Sequence, residues 1–439
     1  MIDPQEKYFK DKTGVCGTGR KWRLDDPNAM KMPDPFQNDT SGVDAFSVKK
    51  YQGTLFRFPL RQEASLISDT LYSSEKVMTL FDYFQTEAKF TLLFLKRLES
   101  VELYVRNEDR QHPEKMFQVR IVNTDLVRSK RQEFLNRICE STRIMKPVTL
   151  TYPVIIETLK FIDGCVSENE RHSFLVTNYF AAGEISMQLQ ELTSEASLSF
   201  LPWVGVALPI PSERDSTDVD IDVNVTGKPV GHLFCFLPLP AEGKSLTGLP
   251  VHVNGFFALS QNRRHLKWPS ADQDGSITLT DKALKWNKCL LEEVLPKAYA
   301  ELVRQASVQL NGANKLYVYR AWPDVFLVDS RWRKMIESFF EEIFLENILY
   351  TKAGEGNWIK IYQAILDRYP ETAEIPDIIH NVLLRAYMNI VTVPDHVLRA
   401  IGKYYNGDRV TVEPYLLRDA LRKIIDVYPE YNRFEKLQL

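Results

Sequence analysis

Between residues 101 and 259 the chain is a succession of short apolar runs, and beyond about Ser270 that pattern gives way to helical periodicity. The runs are Val101–Val105, Met116–Val122, Val148–Val154, Ser173–Tyr179, Phe200–Leu208, Gly231–Pro238 and Pro250–Leu259. Each has the length of a strand, and several are apolar at every position, as suits strands covered on both faces. The polar stretch Arg128–Arg137 is long enough for a helix or loop insert, which makes this a mixed α/β region. Farther on, apolar residues recur at spacings of three and four, the period of a helix with one buried face. The helices expected there are Ala283–Gln309, broken at Pro296, then Ser330–Tyr350, Trp358–Arg368, Pro376–Ile390 and Val412–Val427. No short-period repeat or low-complexity tract stands out.

The N-terminal part reads differently. Up to about Lys50 it is rich in Pro, Gly, Asp and Asn, with no helix or strand period. Gly53–Leu60 then alternates as a strand, with Arg57 and Arg61 on its polar face. Ser73 and Ser74 are fitted to cap a helix from near Glu75, with Val77, Leu80, Phe81 and Phe84 as its buried stripe. Thr91–Leu95 follows as an apolar run of strand length. An autonomous domain rarely opens on so long a loop-like stretch, so the expectation is the tail of a domain whose earlier strands lie upstream.

A chain of 439 residues exceeds one compact core and implies two or three domains. Its 44% hydrophobic and 26% charged residues are ordinary for a globular protein, and a net charge of -3 leaves no electrostatic footprint for nucleic acid. No apolar run reaches the roughly 18 residues of a membrane span. Five scattered cysteines (Cys16, Cys139, Cys165, Cys235, Cys289) without CxxC spacing point to reduced thiols, and the seven histidines form no metal-binding pattern.

Candidate chemistry is sparse. Gly14, Gly17 and Gly19 form a GxxGxG, but no strand precedes it and Arg20-Lys21 stands where a phosphate loop needs Lys-Ser or Lys-Thr. Arg263-Arg264 follows a predicted strand; two adjacent arginines clamp phosphate or carboxylate, or one bonds the turn while the other faces water. No GxSxG elbow is present. Glu292-Glu293 and Glu341-Glu342 fall on helices and read as solvated faces, whereas Phe339, Phe340, Ile343, Phe344 and Ile348 read as core.

Many segments together resemble the repeat modules of the sacsin family, relatives of the heat-shock protein 90 chaperones. They are Ile2-Asp3-Pro4, Gly53–Arg61, Ile67-Ser68, Leu92–Lys96, Val101–Arg106, Pro202–Ala207, Phe234–Pro240, Thr247–Leu259 with Asn262-Arg263-Arg264, and Trp286-Asn287 with Pro296–Tyr299. The resemblance runs from residue 2 to about 350; the remainder matches only in general character. It implies an α+β, α/β architecture in three parts. Residues 1–98 would be the C-terminal half of a heat-shock protein 90-like ATPase lobe of the gyrase and heat-shock protein 90 (GHKL) superfamily. Residues 99–272 would be a middle α/β region and 273–439 a mainly helical region.

In that superfamily the magnesium-holding Asn, the adenine-reading Asp and the lid glycines lie upstream of the motif matched by Asp3-Pro4. Only Gly53 and Thr54 match a nucleotide-site motif, as a remnant, while Arg263 and Arg264 fall where related ATPases place a phosphate-sensing basic residue. The resemblance therefore implies a module that is not autonomously an enzyme and holds no cofactor itself, with ATP and magnesium handled only in a complete module. It implies a cytoplasmic co-chaperone whose partners are client proteins and the seventy-kilodalton heat-shock system. The rival readings are an ATPase completed by upstream sequence and a non-catalytic scaffold.

Overall fold

In a computed structural model the described residues are 63–64, 69–105, 114–183, 185–195, 200–210, 231–240, 247–268, 281–310, 312–367, 377–408 and 410–427. They fall into two compact units. The first comprises residues up to Phe90, Ser100–Arg120 and Glu157–Glu170; the second comprises Thr91–Glu99, Ile121–Ile156 and the chain from Arg171 onward.

The first unit contains helix α1 (Ser74–Thr91, whose last residue belongs to the second unit) and an antiparallel hairpin of β1 (Ser100–Val105) and β2 (Glu114–Ile121). Ser73 begins the helix as its sequence suggests, its hydroxyl accepting from the Lys76 N–H at 3.3 Å. The expected stripe is only part-buried: Leu80 is 58% exposed, while Phe84 meets the edge of Phe117 with ring centroids 6.3 Å apart. Glu157 is buried and held by Arg120, whose Nε and Nη2 lie 2.8 and 2.6 Å from the same carboxylate oxygen.

The second unit is built on a sheet in the order β3-β4-β5-β8-β6-β7, to which β3 contributes up to Ile156 and β4 from Arg171, the residues between them belonging to the first unit. The strands are β3 (Val148–Ile162), β4 (Cys165–Phe180), β5 (Trp203–Ile210), β6 (Leu233–Cys235), β7 (Leu237–Pro238) and β8 (His252–Gly255). Strands β3 and β4 extend well beyond the apolar runs seen in the sequence, because Asp163 and Gly164 both take positive φ and reverse the chain in two residues. Strand β5 is central, pairing antiparallel with β4 and β8, and its first six residues are buried. Strand β8 pairs parallel with β6, which turns back antiparallel into β7.

The polar insert after β2 is helix α2 (Thr124–Ile144), which buries Val127, Phe134 and Ile138. Thr91–Leu95 is not the expected strand. Leu92, Leu93 and Phe94 are buried in a turn, and the Arg131 guanidinium donates to the Leu92 and Leu93 carbonyls at 2.9 and 3.2 Å. A side chain does there what a strand ladder would otherwise do, satisfying buried backbone acceptors.

A short helix α3 (Met187–Thr193) precedes β5, and after the sheet come α4 (Lys282–Cys289), a π-helical turn (Leu290–Val294) and α5 (Leu295–Gln309). The break expected at Pro296 is therefore that π turn, with the proline in the first turn of the helix beyond it, where a missing N–H costs nothing. The turn also draws the acidic pair off a fully solvated face. Glu292 is part-buried, which raises its carboxyl pKa, and Glu293 accepts from the Ser186 hydroxyl at 2.9 Å, while the Ser186 Oγ accepts from the Leu189 N–H of α3.

Helix α6 (Arg333–Ile343) packs on α5, with Tyr299 stacked on Phe339 at 4.3 Å. The stripe Phe339, Phe340, Ile343, Phe344 and Ile348 is core, as the sequence indicates. The helix ends well before Tyr350, which lies in strand β9 (Leu349–Thr351), paired antiparallel with β10 (Asn357–Ile359).

The expected helix Trp358–Arg368 does not form. Its residues supply β10, a 3-10 turn and β11 (Ile365–Leu366), which lies between the parallel strands β12 (Ile390–Val391) and β13 (Val410–Thr411). Helices α7 (Asp377–Arg385), α8 (Asp395–Tyr404) and α9 (Pro414–Val427) alternate with them. The C-terminal part thus contains a strand–proline–helix repeat that the sequence reading did not detect. The offset that pairs Pro394 with Pro414 also pairs Ile390 with Val410, Ala400 with Ala420 and Ile401 with Leu421.

Among the described residues no helix is long and apolar enough to cross a membrane, and no group of three or more His, Cys, Asp or Glu is placed to hold a metal ion.

Asn287 joins the sheet to the helices. Its side chain is 2% exposed; its Oδ1 accepts from the Ala258 N–H at 2.7 Å, and its Nδ2 donates to the carbonyls of Ala258 and Lys267 at 2.8 and 2.9 Å. Asn287→Ala leaves the Ala258 N–H and the Lys267 carbonyl without this partner, while the Ala258 carbonyl keeps the Lys267 N–H at 3.0 Å, and we expect it to lower unfolding free energy by about 2 kcal/mol in urea titrations.

His396 on α8 holds the Tyr319 carbonyl at 2.9 Å, and burial lowers its pKa below the usual value of 6.5. In acid the unfolded chain takes up a proton that the folded chain refuses, so stability falls as pH drops below 6.5. His396→Gln is expected to flatten that part of the stability–pH curve, read as melting temperature between neutral and mildly acidic buffers.

Candidate functional site

The most organised polar and aromatic cluster lies in the second unit, where the turn after α1 meets β5, the β6–β7 corner and the end of β8. The Lys96 ammonium sits over three rings at once: 4.7 Å from the centroid of Trp203, 4.7 Å from Phe236 and 5.1 Å from Phe256. The rings also pack against one another, Phe236 on Phe256 at 4.7 Å and Trp203 on each at 5.7 and 5.8 Å. A cation within about 6 Å of a ring face is attracted by the ring's quadrupole, so the arrangement is an aromatic cage with a resident ammonium.

Each ring is fixed by a buried polar side chain. The Trp203 indole N–H donates to Asn178 Oδ1 at 3.0 Å, and Asn178 Nδ2 donates to the Tyr152 hydroxyl at 3.2 Å. The Phe236 N–H donates to Asn254 Oδ1 at 2.7 Å, which secures a residue held at φ 66, a conformation that non-glycine residues rarely adopt. The Trp286 indole N–H donates to the Phe256 carbonyl at 2.7 Å. Gly205 permits the close packing behind Trp203: a Cβ there would lie 3.0 Å from the Phe94 ring and 3.1 Å from Asn178 Oδ1.

Why Lys96 turns to the rings follows from its neighbours. Glu99, the nearest carboxylate in sequence, is taken by Arg128 in a two-pronged contact at 2.9 and 2.8 Å, which holds the Glu99 carboxyl below its usual pKa. Among the described residues the Lys96 ammonium has no hydrogen-bond or carboxylate partner. Its partly apolar surroundings lower its pKa, whereas the ring faces favour the charged form.

Behind the cage a cavity of about 30 Å³ lies between Phe94, Arg131, Tyr152, Asn178 and Trp203, room for a water but not for a nucleotide. Burial raises the Tyr152 phenol pKa, and the nearby Arg131 charge offsets part of that rise. A larger hollow of about 380 Å³ along α2, lined by Gln132, Glu133, Asn136 and Arg137, is open and lacks an enclosing wall.

Gly53 and Thr54 lie outside the described residues. Arg263 and Arg264 are on an exposed turn between Leu259 and Leu266, which bridge its two ends. The Arg263 N–H closes the turn on the Ser260 carbonyl at 2.8 Å with φ 56, and the Arg264 N–H donates to Asn262 Oδ1 at 3.1 Å. Both backbones are thus built into the turn and both side chains are at the surface. The sequence reading missed Lys96 and its cage because each ring is an ordinary core aromatic in isolation. The sheet order, the positive φ of Phe236 and the loop path of Lys96 together bring them to one place.

The comparisons with known proteins agree with the motif pattern. Residues 1–118 match the family model described as Sacsin domain. Over 96% of its length the chain is 30% identical to sacsin from Homo sapiens. The chain carries a sacsin-type repeat. It spans only 9% of the length of that curated relative, and no solved structure matches it. The similarity extends past the family model into the cage and the helices beyond. Four segments of the sacsin-type repeat supply the cage: Leu92–Lys96, Pro202–Ala207, Phe234–Pro240 and Thr247–Leu259. Asn254 of the last of these, and Trp286 and Asn287 of a further matching segment, act as structural ties.

The four described cysteines are unpaired. Cys139 and Cys165 are exposed, whereas burial, aided by the negative charge of Glu293, pushes the Cys289 thiol pKa up to about 12. Because the thiolate is the reactive form, iodoacetamide at pH near 8 is expected to label Cys139 and Cys165 in the native protein, and Cys289 only after unfolding, as read by peptide mass mapping.

Proposed function

We propose that this chain is a non-catalytic binding module of a sacsin-type chaperone, holding client or partner polypeptides in folding and quality control in the cytoplasm. The observation that carries the reading is the similarity to sacsin along nearly the whole chain. In this reading residues 1–98 form the rear of a heat-shock protein 90-like lobe, with Gly53 and Thr54 as the remnant of its nucleotide site. ATP and magnesium are then handled, if at all, by residues outside this chain, and the seventy-kilodalton heat-shock system is the partner.

Splitting ATP requires a positioned metal, an oriented water and stabilisation of the transferring phosphoryl group. One threonine and two surface arginines do not supply these. The second reading, an ATPase completed by upstream sequence, is favoured only by the Gly53-Thr54 motif and by the position of Arg263 and Arg264.

Purified chain is expected to suppress the light scattering of a heat-denatured model client at near-equimolar ratio and to retain the seventy-kilodalton chaperone in pull-downs. Failure of both would overturn the chaperone reading. Titration with a fluorescent ATP analogue is expected to give a dissociation constant of about 1 mM or weaker. In a completed module, loss of ATP hydrolysis on Arg263→Ala would favour the second reading over the first.

A further inference from the structure

We infer that Trp203, Phe236 and Phe256 form a binding site for alkylammonium groups, of the kind carried by lysine and methylated lysine side chains, and that Lys96 is its built-in, displaceable occupant. The inference stands apart from the proposed chaperone role, since it concerns a recognition chemistry held by this chain alone.

Three observations carry it. First, the rings are arranged before any ligand arrives. Asn178 holds the Trp203 indole, Asn254 holds the Phe236 amide and Trp286 holds the Phe256 carbonyl, at 3.0, 2.7 and 2.7 Å. Those ties come from buried residues on other strands and on α4, so the cage does not depend on Lys96 for its shape. Second, a cation already occupies it, at 4.7 to 5.1 Å from the three centroids, which establishes the class of group the rings accept. Third, the occupant is weakly retained. Lys96 is exposed and lies outside any helix or strand, and among the described residues nothing but the ring faces engages its ammonium. Its stem can swing out without breaking a backbone ladder.

A methylated ammonium suits such a site better than a bare one. Its methyl groups spread the charge, lower the cost of leaving water and touch the ring faces directly. A tethered occupant competes as though present at millimolar concentration or above, so the wild-type cage presents itself as closed to weak ligands. Removal of Lys96, or its withdrawal when a polypeptide docks on the turn, opens it.

The test uses the full chain with nitrogen-15-labelled tryptophan, the Trp203 indole signal being assigned from a Trp203→Phe variant. Nα-acetyl-Nε-trimethyl-lysine amide is titrated into wild type and into Lys96→Ala, with Nα-acetyl-norleucine amide as the neutral control. Lys96→Ala is expected to show a saturable shift of the Trp203 indole with the trimethyl compound. The wild type should bind at least about tenfold more weakly, and the neutral compound should give no shift. Equal binding by the two proteins, an equal response to the neutral compound, or no response in folded Lys96→Ala would overturn the inference. Should Lys96→Ala not fold, reductive methylation of the wild type with carbon-13 formaldehyde provides a second measurement. A dimethyl-lysine signal is expected to be shifted upfield by the rings and to be missing from the spectrum of methylated Lys96→Gln, which carries no amine at that position. Absence of a ring-shifted signal that is lost in Lys96→Gln would equally overturn it.

Discussion

The second unit depends on a single amide. Asn287 sits in the first turns of the helical layer, yet all its hydrogen bonds go to the chain that leaves the sheet after β8, at Ala258 and Lys267. A buried asparagine with three well-directed bonds has little freedom, because moving it would leave its own polar atoms, the Ala258 N–H and the Lys267 carbonyl without these bonds. Next to it, Trp286 donates to the Phe256 carbonyl, so two adjacent helix residues grip the same stretch of backbone from one side. Helix α4, β8 and the aromatic corner beyond β8 are thereby held in one geometry. The apolar core then fills in around them, from Val206 and Val253 on the sheet to Tyr299 and Phe339 between the helices.

The π turn that follows has a related origin. Pro296 offers no N–H to a helix, and the extra residue accommodated between Leu290 and Val294 lets the helix continue through it. The same turn moves Glu293 to where it accepts from Ser186, so a backbone constraint at one proline sets a contact with a distant short helix. Polar residues in this protein act mainly as ties between elements. Asn178 orients an indole, Asn254 stabilises a left-handed phenylalanine and Arg131 replaces a missing strand partner. Most are short amides whose sequence positions look unremarkable.

The sacsin-type motifs take on a physical meaning in this light. The segments around Lys96, Trp203, Phe236 and Phe256 are far apart in the chain, and their convergence requires the sheet order in which β8 lies between β5 and β6. Among the motif residues, Trp203, Phe236 and Phe256 are rings that share one surface, and Asn254 is an amide that holds one of them in place. Arg263 and Arg264 belong to neither; their backbones close a turn, and their side chains face outward.

Strand-rich and helix-rich regions, the core stripe Phe339–Ile348 and the family were legible in the sequence, because period and motif order survive without knowledge of contacts. The two-residue reversal at Asp163-Gly164 and the paired prolines Pro394 and Pro414 are also written there, as turn chemistry and spacing. Other features were settled by the tertiary structure alone. Thr91–Leu95 has the composition of a strand, but its carbonyls are claimed by Arg131 from another element. Trp358–Arg368 has the composition of a helix, but the parallel pairing of β11 with β12 and β13 satisfies its backbone better. The cage around Lys96 is likewise a product of long-range packing, since no local rule says which ring an unpaired ammonium will find. The sequence determined which residues seek burial and at what period; the fold decided which buried polar group each one meets, because hydrogen-bond satisfaction is a property of the whole assembly of elements.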